Sequence, residues 1–498
     1  MNGLSVIDLQ EMMGQGAFSS RELCQETLGR IARLNIQGPE LRAVIEENPD
    51  TLQIAAQLDK EREEKGPRSL LHGIPIVLKD NIDTADAMQT TAGSLALIGK
   101  PAQNDAHIVK RLRDAGAVVI AKANLSEWAN FRSTKSSSGW SSRGGQCRNP
   151  YDLTRSPCGS SSGSAVSVAA GMVPLAVGTE TDGSIICPAS MNSIVGIKPT
   201  LGRVSRSGII PIAFSQDTAG SMAVNVADAA ILLDVLSGYD PQDSMTKRFF
   251  EVVKKGKMNQ ETLINKLKTA GLQGRKIGIP RHLCGFDPRV DKVFENHIRM
   301  MEKAGAIIVD DCTISEVDSY DSAEMTVLLY EFKHYLNSYL RGRGDTINIH
   351  TLEELISFNS ENSEKVMPHY GQELLIQAQE KGTLKEEEYL SARETCRIKA
   401  GEKGLQKVFE EHTVDALVIP SNGPAWKIDH VNGDRYTGGN SSPAAVSGYP
   451  SVTIPAGYVQ GLPIGTTFIG KPFTEGKLLA CAHALEQIYP VREEPKNY

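Results

Sequence analysis

Two clusters of small residues and one lysine are the parts of this chain whose residue types and spacing could do chemistry. The clusters are Gly159-Ser160-Ser161-Ser162-Gly163-Ser164 and Thr179-Glu180-Thr181-Asp182-Gly183-Ser184, with Ser160 and Ser184 twenty-four positions apart. Serines among glycines on sharp turns can present a hydroxyl together with bare backbone N–H groups. Acyl transfer needs both, one as nucleophile and the other to hold the developing oxyanion. Gly183 allows the chain to turn tightly just before Ser184. A serine hydroxyl also needs a base to take its proton, most often histidine. None of the ten histidines sits in a glycine-rich or strand-end setting that pairs with these serines, and His72 reads as structural. A lysine can serve instead if burial disfavours its ammonium form. Lys79 follows the largely apolar run Leu71–Leu78 at the end of an expected strand, the end at which α/β sheets gather their sites. Singly, Lys79 reads more simply as a lysine capping a strand, and a Ser/Gly cluster as an ordinary loop. Their co-occurrence is what points to a site.

Other chemistries find less support. The Gly159–Ser164 cluster lacks the Gly-Lys-Ser/Thr of a phosphate-binding loop, and no HExxH or other metal-ligand spacing occurs. The eight cysteines are scattered without a CxxC pair, which in a chain of this length predicts mostly free, partly buried thiols in a reducing compartment. Cys158 and Cys187 flank the serine clusters, but sequence alone does not supply the geometry of a bridge. Of the three tryptophans, Trp128 and Trp140 lie on the segment leading to Ser160 and read equally as pocket wall or packing. Trp426 reads as packing or pocket wall.

Elements that must position these residues follow from periodicity and punctuation. Residues 5–34 carry apolar positions at helical spacing, with Ser19-Ser20-Arg21-Glu22 as a helix start. A helix is expected over 51–65 and again near 105–115. Strands are expected at Leu71–Leu78, Ala117–Ala121, Val195–Lys198 and Ile209–Ile212. The small apolar run Ala165–Val177 reads as a buried helix to about Ala170, then a strand. Residues 132–160 form a long polar loop, a length that is usually functional. Val226–Leu236 is helical. From 243 to about 410 the chain turns more charged and helical, with helices expected at 261–268, 290–304, 323–340, 351–357 and 385–411 and a strand at Lys276–Ile279. Strands return at Ala416–Ile419, Ser451–Ile454 and Thr466–Ile469. Helices alternating with strands favour an α/β core, here one domain built from 1–242 and 411–498 with a helical insertion at about 243–410.

Bulk properties narrow the partners. The 498 residues are 40% hydrophobic and 23% charged with net charge −7, ordinary for a globular protein and unlike a nucleic-acid binder, which concentrates positive charge. No apolar run is long enough to span a bilayer. The N-terminus lacks a basic segment followed by an apolar one, so it reads as cytoplasmic rather than secreted, although a trimmed signal would look the same.

Taken together, the motifs resemble the amidase signature family. The resemblance rests on LHGIPIVLKDNI (71–82), SPCGSSSGSAVSVAAG (156–171), GTETDGSIICPAS (178–190), GIKPTLGRVSRSGIIP (196–211) and NSSPAAVSGYPSVTIPAG with GLPIGTTFIG (440–470). It covers nearly the whole chain and is weakest over 243–410. It implies an α/β/α sandwich around a mixed twisted sheet, an amidase without cofactor or metal, and an amide as substrate, small molecule or peptide. It also implies a Ser–cis-Ser–Lys triad of Ser184, Ser160 and Lys79, with Ser160 joined to Gly159 by a cis bond, Thr179 supporting the Lys79–Ser160 pair, and the N–H groups of Thr181, Asp182, Gly183 and Ser184 lining the oxyanion hole. Where many members read GTDTGGSIR this chain reads GTETDGSII. That form is most similar to the peptide-amidase branch, which releases ammonia from amidated peptides. Ile186, where many members have arginine, argues against an amidotransferase A-type subunit, which stays open as the alternative alongside an acyl-amide or oligoamide hydrolase. Monomer and homodimer are both compatible with the sequence.

Overall fold

The computed structural model describes residues 3–255, 262–267 and 271–496. Thirteen strands are present among them: β1 (Val44–Glu47), β2 (Pro75–Lys79), β3 (Val118–Ala123), β4 (Trp140–Ser141), β5 (Gly145–Gln146), β6 (Leu175–Glu180), β7 (Val195–Lys198), β8 (Thr218–Ala223), β9 (Lys276–Gly278), β10 (Ile307–Val309), β11 (Ala416–Pro420), β12 (Ser451–Val459) and β13 (Leu462–Ile469). Eleven of them form one mixed sheet in the order β1-β3-β2-β6-β8-β7-β12-β13-β11-β9-β10, while β4 and β5 make a small hairpin. β2 runs parallel to both β3 and β6, and β8 then reverses direction between β6 and β7.

The sheet is covered on both faces, and alternation along single strands shows why. Ile76 and Leu78 enter one apolar cluster with Val119, Val195 and the helix Val226–Leu236, whereas the intervening Val77 enters another with Ile120, Ala165, Val166 and Val168. Successive side chains of a strand point to opposite faces, so β2 stitches two cores together. Strands buried on both faces read as continuous apolar runs, which is how β2 and β3 read. The α/β/α layering follows from this.

Helices expected at 51–65 and 226–236 have those bounds, and Ser19 caps the helix Ser20–Ala32, with the Glu22 carboxylate accepting the Ser19 N–H at 2.8 Å in return. Other expectations change. Ile209–Ile212 forms no strand and makes only a single bridge, Ile82 to Ile209. Five strands have no counterpart among those expected: β1, β8, β10 and the two-residue strands β4 and β5 inside the 132–160 loop. β1 and β10 are short strands that form the two edges of the main sheet, and β8, TAGSMA, is a central strand of small residues without a β-branched run. β9 and β10 extend the main sheet, so the 243–410 segment contributes to the sheet as well as helices. The expected 385–411 helix is broken: Glu387–Cys396 is regular, Arg397–Gln406 widens and kinks at Gly404, and Lys407–His412 closes it. Of the helix expected at 261–268, the described part is Leu263–Leu267, and residues 261 and 268 lie outside the described residues. No helix among the described residues is long and apolar enough to cross a membrane.

The long polar loop before Ser160 is pinned in place. Arg132, wholly buried, pairs with the buried Glu127 and donates to the carbonyls of Val366 (2.7 Å), Tyr370 (3.1 Å) and Gly371 (3.2 Å). This fastens the 366–371 stretch of the helical segment against the loop.

Candidate active site

Lys79 ends β2 in register with Ala123, the last residue of the parallel strand β3, with parallel β6 on its other side. Its side chain is completely buried. Nζ lies 2.7 Å from Ser160 Oγ, 2.9 Å from Thr179 Oγ1 and 3.1 Å from the Thr179 carbonyl. Burial pushes its pKa down to about 7, opposed by the more distant carboxylates of Glu180 and Asp217. Three polar neighbours match an ammonium donating three times. They match a neutral amine equally well, donating twice to Thr179 and accepting once from Ser160.

Ser160 stands just before the helix Ser162–Ala169, and the peptide joining it to Gly159 is cis. That helix is made only of small or β-branched residues because it lies hard against the strands. A Cβ on Gly163 would come within 2.1 Å of the Ala43 carbonyl oxygen and 2.5 Å of that of Asn124. Ser161 links the two serine turns: its hydroxyl donates to the Thr179 carbonyl at 3.0 Å, and its N–H donates to the Ser184 carbonyl at 3.1 Å.

The second turn follows β6 directly. Gly183 has φ +73°, and a Cβ there would meet Ser441 Oγ at 2.8 Å, so glycine is required twice over. The N–H groups of Thr181, Asp182, Gly183 and Ser184 have no protein acceptor among the described residues, while those of Ile185 and Ile186 are taken by the Glu180 carboxylate at 2.7 and 3.0 Å. Four consecutive donors without a protein acceptor, beside a serine that keeps 7% exposure, are available to an anionic oxygen.

Several residues that hold this turn were not singled out from sequence. The Thr181 hydroxyl donates to Asp217 Oδ1 at 2.6 Å. The Asp182 carboxylate accepts from the hydroxyls of Ser441 (2.5 Å) and Ser442 (2.6 Å). Asn81 Nδ2 donates to Thr179 Oγ1 at 3.0 Å. Glu324, on the long helix Asp321–Gly342, accepts from Gln216 at 2.8 Å and is held above the usual carboxylate range by burial and by Asp182. Burial likewise raises Asp182. Asn81 and Ser441-Ser442 do lie inside quoted motif segments, but their partners are 98 residues away for Asn81 and 259 and 260 for the serines, which no local pattern signals.

His72 is structural as expected: it is buried, with its ring nitrogens bonded to the Leu58 carbonyl (2.9 Å) and the Arg68 N–H (3.2 Å). Trp128 packs on Phe332, and Trp140 on His369 and Tyr370. The reading of free thiols is corrected at one pair. Cys158 and Cys187 form a disulfide, while Cys24, Cys147, Cys284, Cys312, Cys396 and Cys481 are free. The strand and helix that carry the two turns bring these cysteines together, although they are 29 positions apart.

Comparison with known proteins agrees with the fold and the motifs. The amidase family model matches residues 22–479. The native peptide amidase from Stenotrophomonas maltophilia superposes with a TM-score of 0.91 at 46% identity, covering 99% of this chain and 98% of that one. A probable amidase of Arabidopsis thaliana is 39% identical over 99% of this chain and 91% of the relative. The A-type subunit of the glutamyl-tRNA(Gln) amidotransferase from Symbiobacterium thermophilum is 35% identical over 97% of this chain and 96% of its own length. The chain belongs to the amidase family, the amidase-signature enzymes, and is an amide-hydrolysing enzyme.

Proposed function

We propose that the protein hydrolyses a linear carboxamide, a peptide C-terminal amide being the favoured substrate, through an acyl-enzyme on Ser184. Neutral Lys79 accepts the Ser160 proton as Ser160 accepts that of Ser184. Ser184 Oγ then bonds to the carbonyl carbon, and the displaced electron pair settles on oxygen within the N–H groups of Thr181, Asp182, Gly183 and Ser184. Collapse breaks the C–N bond, the relayed proton passes to nitrogen, and ammonia leaves. Water then attacks the ester carbonyl as Ser160 and Lys79 take its proton, and that proton returns to Ser184 Oγ as the C–O bond breaks and the acid leaves.

The observation that carries this reading is the buried lysine, with no carboxylate in contact among the described residues, bonded to Ser160 and Thr179 and depressed to about 7. An amine in that state is a base at neutral pH. Likeness to the peptide amidase supports the substrate class.

Ser184→Ala should abolish ammonia release from an N-acylated dipeptide amide while leaving the circular dichroism spectrum unchanged. Full turnover by a pure Ser184→Ala preparation would end the assignment. Similarity to an amidotransferase A-type subunit favours a second reading, in which the chain works within an assembly. The isolated chain would then release ammonia from no free amide, which the same assay decides.

A further inference from the structure

The turn ahead of Ser160 and the helix behind Ser184 are joined covalently by Cys158 and Cys187. Both cysteines are buried, at 5% and 7% exposure, in an apolar cluster with Met191, Ala425 and Trp426. The Trp426 ring meets Tyr436 edge-on at 5.7 Å. Few polar contacts duplicate the link. Asn192 Nδ2 donates to the carbonyls of Pro157 (2.9 Å) and Pro188 (2.7 Å), and Asn149 Nδ2 donates to that of Met191 at 2.9 Å. The Ser161 N–H reaches the Ser184 carbonyl at 3.1 Å.

We propose that the Cys158–Cys187 bridge is a positioning element of the catalytic centre: it fixes the spacing of the Ser160 and Ser184 turns, so that the reduced enzyme stays folded but turns over slowly. The proposal rests on the Ser184–Ser160–Lys79 reading. Cys158 is two residues before Ser160, and Cys187 three after Ser184, so movement at either sulfur is passed to a reacting hydroxyl through very little chain. Proton relay between hydroxyls needs hydrogen-bond spacing, and a misplacement of about 1 Å can cost about 100-fold in rate. With the bridge open, Asn192, Asn149 and Ser161 still hold the segments together, which preserves the fold, but only through individually weak bonds that tolerate drift. Opening yields two thiols: a dithiol gives two electrons and two protons and closes to its own disulfide, while a water-soluble phosphine gives the two electrons and becomes its oxide, water giving the two protons and the oxygen. Oxidation removes two electrons and two protons and closes the bridge. Activity should therefore follow the thiol poise of the surroundings, closed and fast in an oxidising compartment, open and slow in a reducing one.

Three measurements on the full-length enzyme test this. Alkylation of the air-oxidised, denatured protein, followed by mass spectrometry, should label six thiols, and eight after reduction; eight without reductant overturns the proposal. Next, phosphine-reduced wild type and the variant Cys158→Ala/Cys187→Ala are assayed at a temperature where their circular dichroism equals that of the oxidised enzyme. The expected result is a kcat about 10- to 100-fold lower, with KM within about twofold. A kcat within threefold of the oxidised enzyme makes the bridge structural only and refutes the positioning role. If the variant does not fold, reduced wild type alone decides. Re-oxidation should restore wild type, and phosphine should leave the variant's rate untouched. A fall in rate that phosphine also produces in the variant counts against the proposal. Failure of the underlying mechanism is separately visible, as turnover that survives Ser184→Ala.

Discussion

The hydroxyl of Thr181 donates to Asp217 Oδ1 at 2.6 Å, while Asp217 Oδ2 receives the N–H groups of Ile212 and Ala213 at 2.9 Å each. One carboxylate just ahead of β8 thereby holds the first residue of the Ser184 turn. Burial lifts the Asp217 pKa to about 6, and its charge raises that of Lys79. In Asp217→Asn the amide oxygen must face the two N–H groups, which turns the amide NH₂ toward Thr181 and reverses that bond. We expect kcat/KM to fall about tenfold, the order of one positioning bond. The acid limb of the pH profile should move to lower pH, because an opposing charge near Lys79 is gone. A limb that stays in place or moves upward would show that Asp217 does not act on Lys79.

Catalysis by Lys79 requires the neutral amine, so kcat/KM of the wild type should rise with pH through about 7. The linkage sign is fixed by the same shift. Between about 7 and the normal lysine range the unfolded chain binds a proton that the folded chain does not, so this group makes stability climb with pH over that window. Lys79→Met should abolish turnover, by at least about 1,000-fold as for other catalytic-triad members, and flatten that climb. Both are read from rate–pH and melting–pH curves.

A second buried group contributes with the opposite sign. Glu324 faces Asp182 and Asp321, with Gln216 as its donor, and keeps its proton well above the usual carboxylate range through burial and these charges. A raised carboxylate contributes stability that is present while it is protonated and lost as pH rises through its folded pKa. Ionised, it would press the Asp321–Gly342 helix away from the Ser184 turn. This loss runs from the ordinary carboxylate range up to about 8, so the melting temperature should fall with rising pH over that window in wild type and fall less in Glu324→Gln. Parallel curves for the two proteins would remove Glu324 from the account.

Arg132 and Glu127 are both fully buried. Arg132→Ala strands a buried carboxylate and three carbonyls, and should cost about 3–5 kcal/mol. Replacing both, Arg132→Met with Glu127→Gln, should cost clearly less, since no buried charge is left unpaired. Denaturant titration monitored by tryptophan fluorescence measures both, and equal losses would mean that charge burial is not the cause.

Much of the architecture was legible because local signals carried it. Glycine before Ser184, the capping serine at 19, the apolar run ending at Lys79 and the small-residue helix after Ser160 each depend on backbone sterics or burial that a few neighbouring residues encode. β8 was not legible, since TAGSMA has no β-branched run and becomes a strand only because β6 and β7 present edges on either side of it. The pairing of Cys158 with Cys187 was not either, because a bridge depends on where β6 and two turns carry the sulfurs.

By itself the sequence determined the α/β class, the two serine turns and the lysine at a strand end, since sterics, periodicity and turn chemistry act over a few residues. The tertiary structure alone decided that Lys79 loses all contact with solvent, that four N–H groups of residues 181–184 meet no protein acceptor among the described residues, and that Asp217, Ser441, Ser442 and Glu324 gather around the second turn. Desolvation and long-range contact are properties of packed neighbours from distant parts of the chain, and no window of sequence contains them.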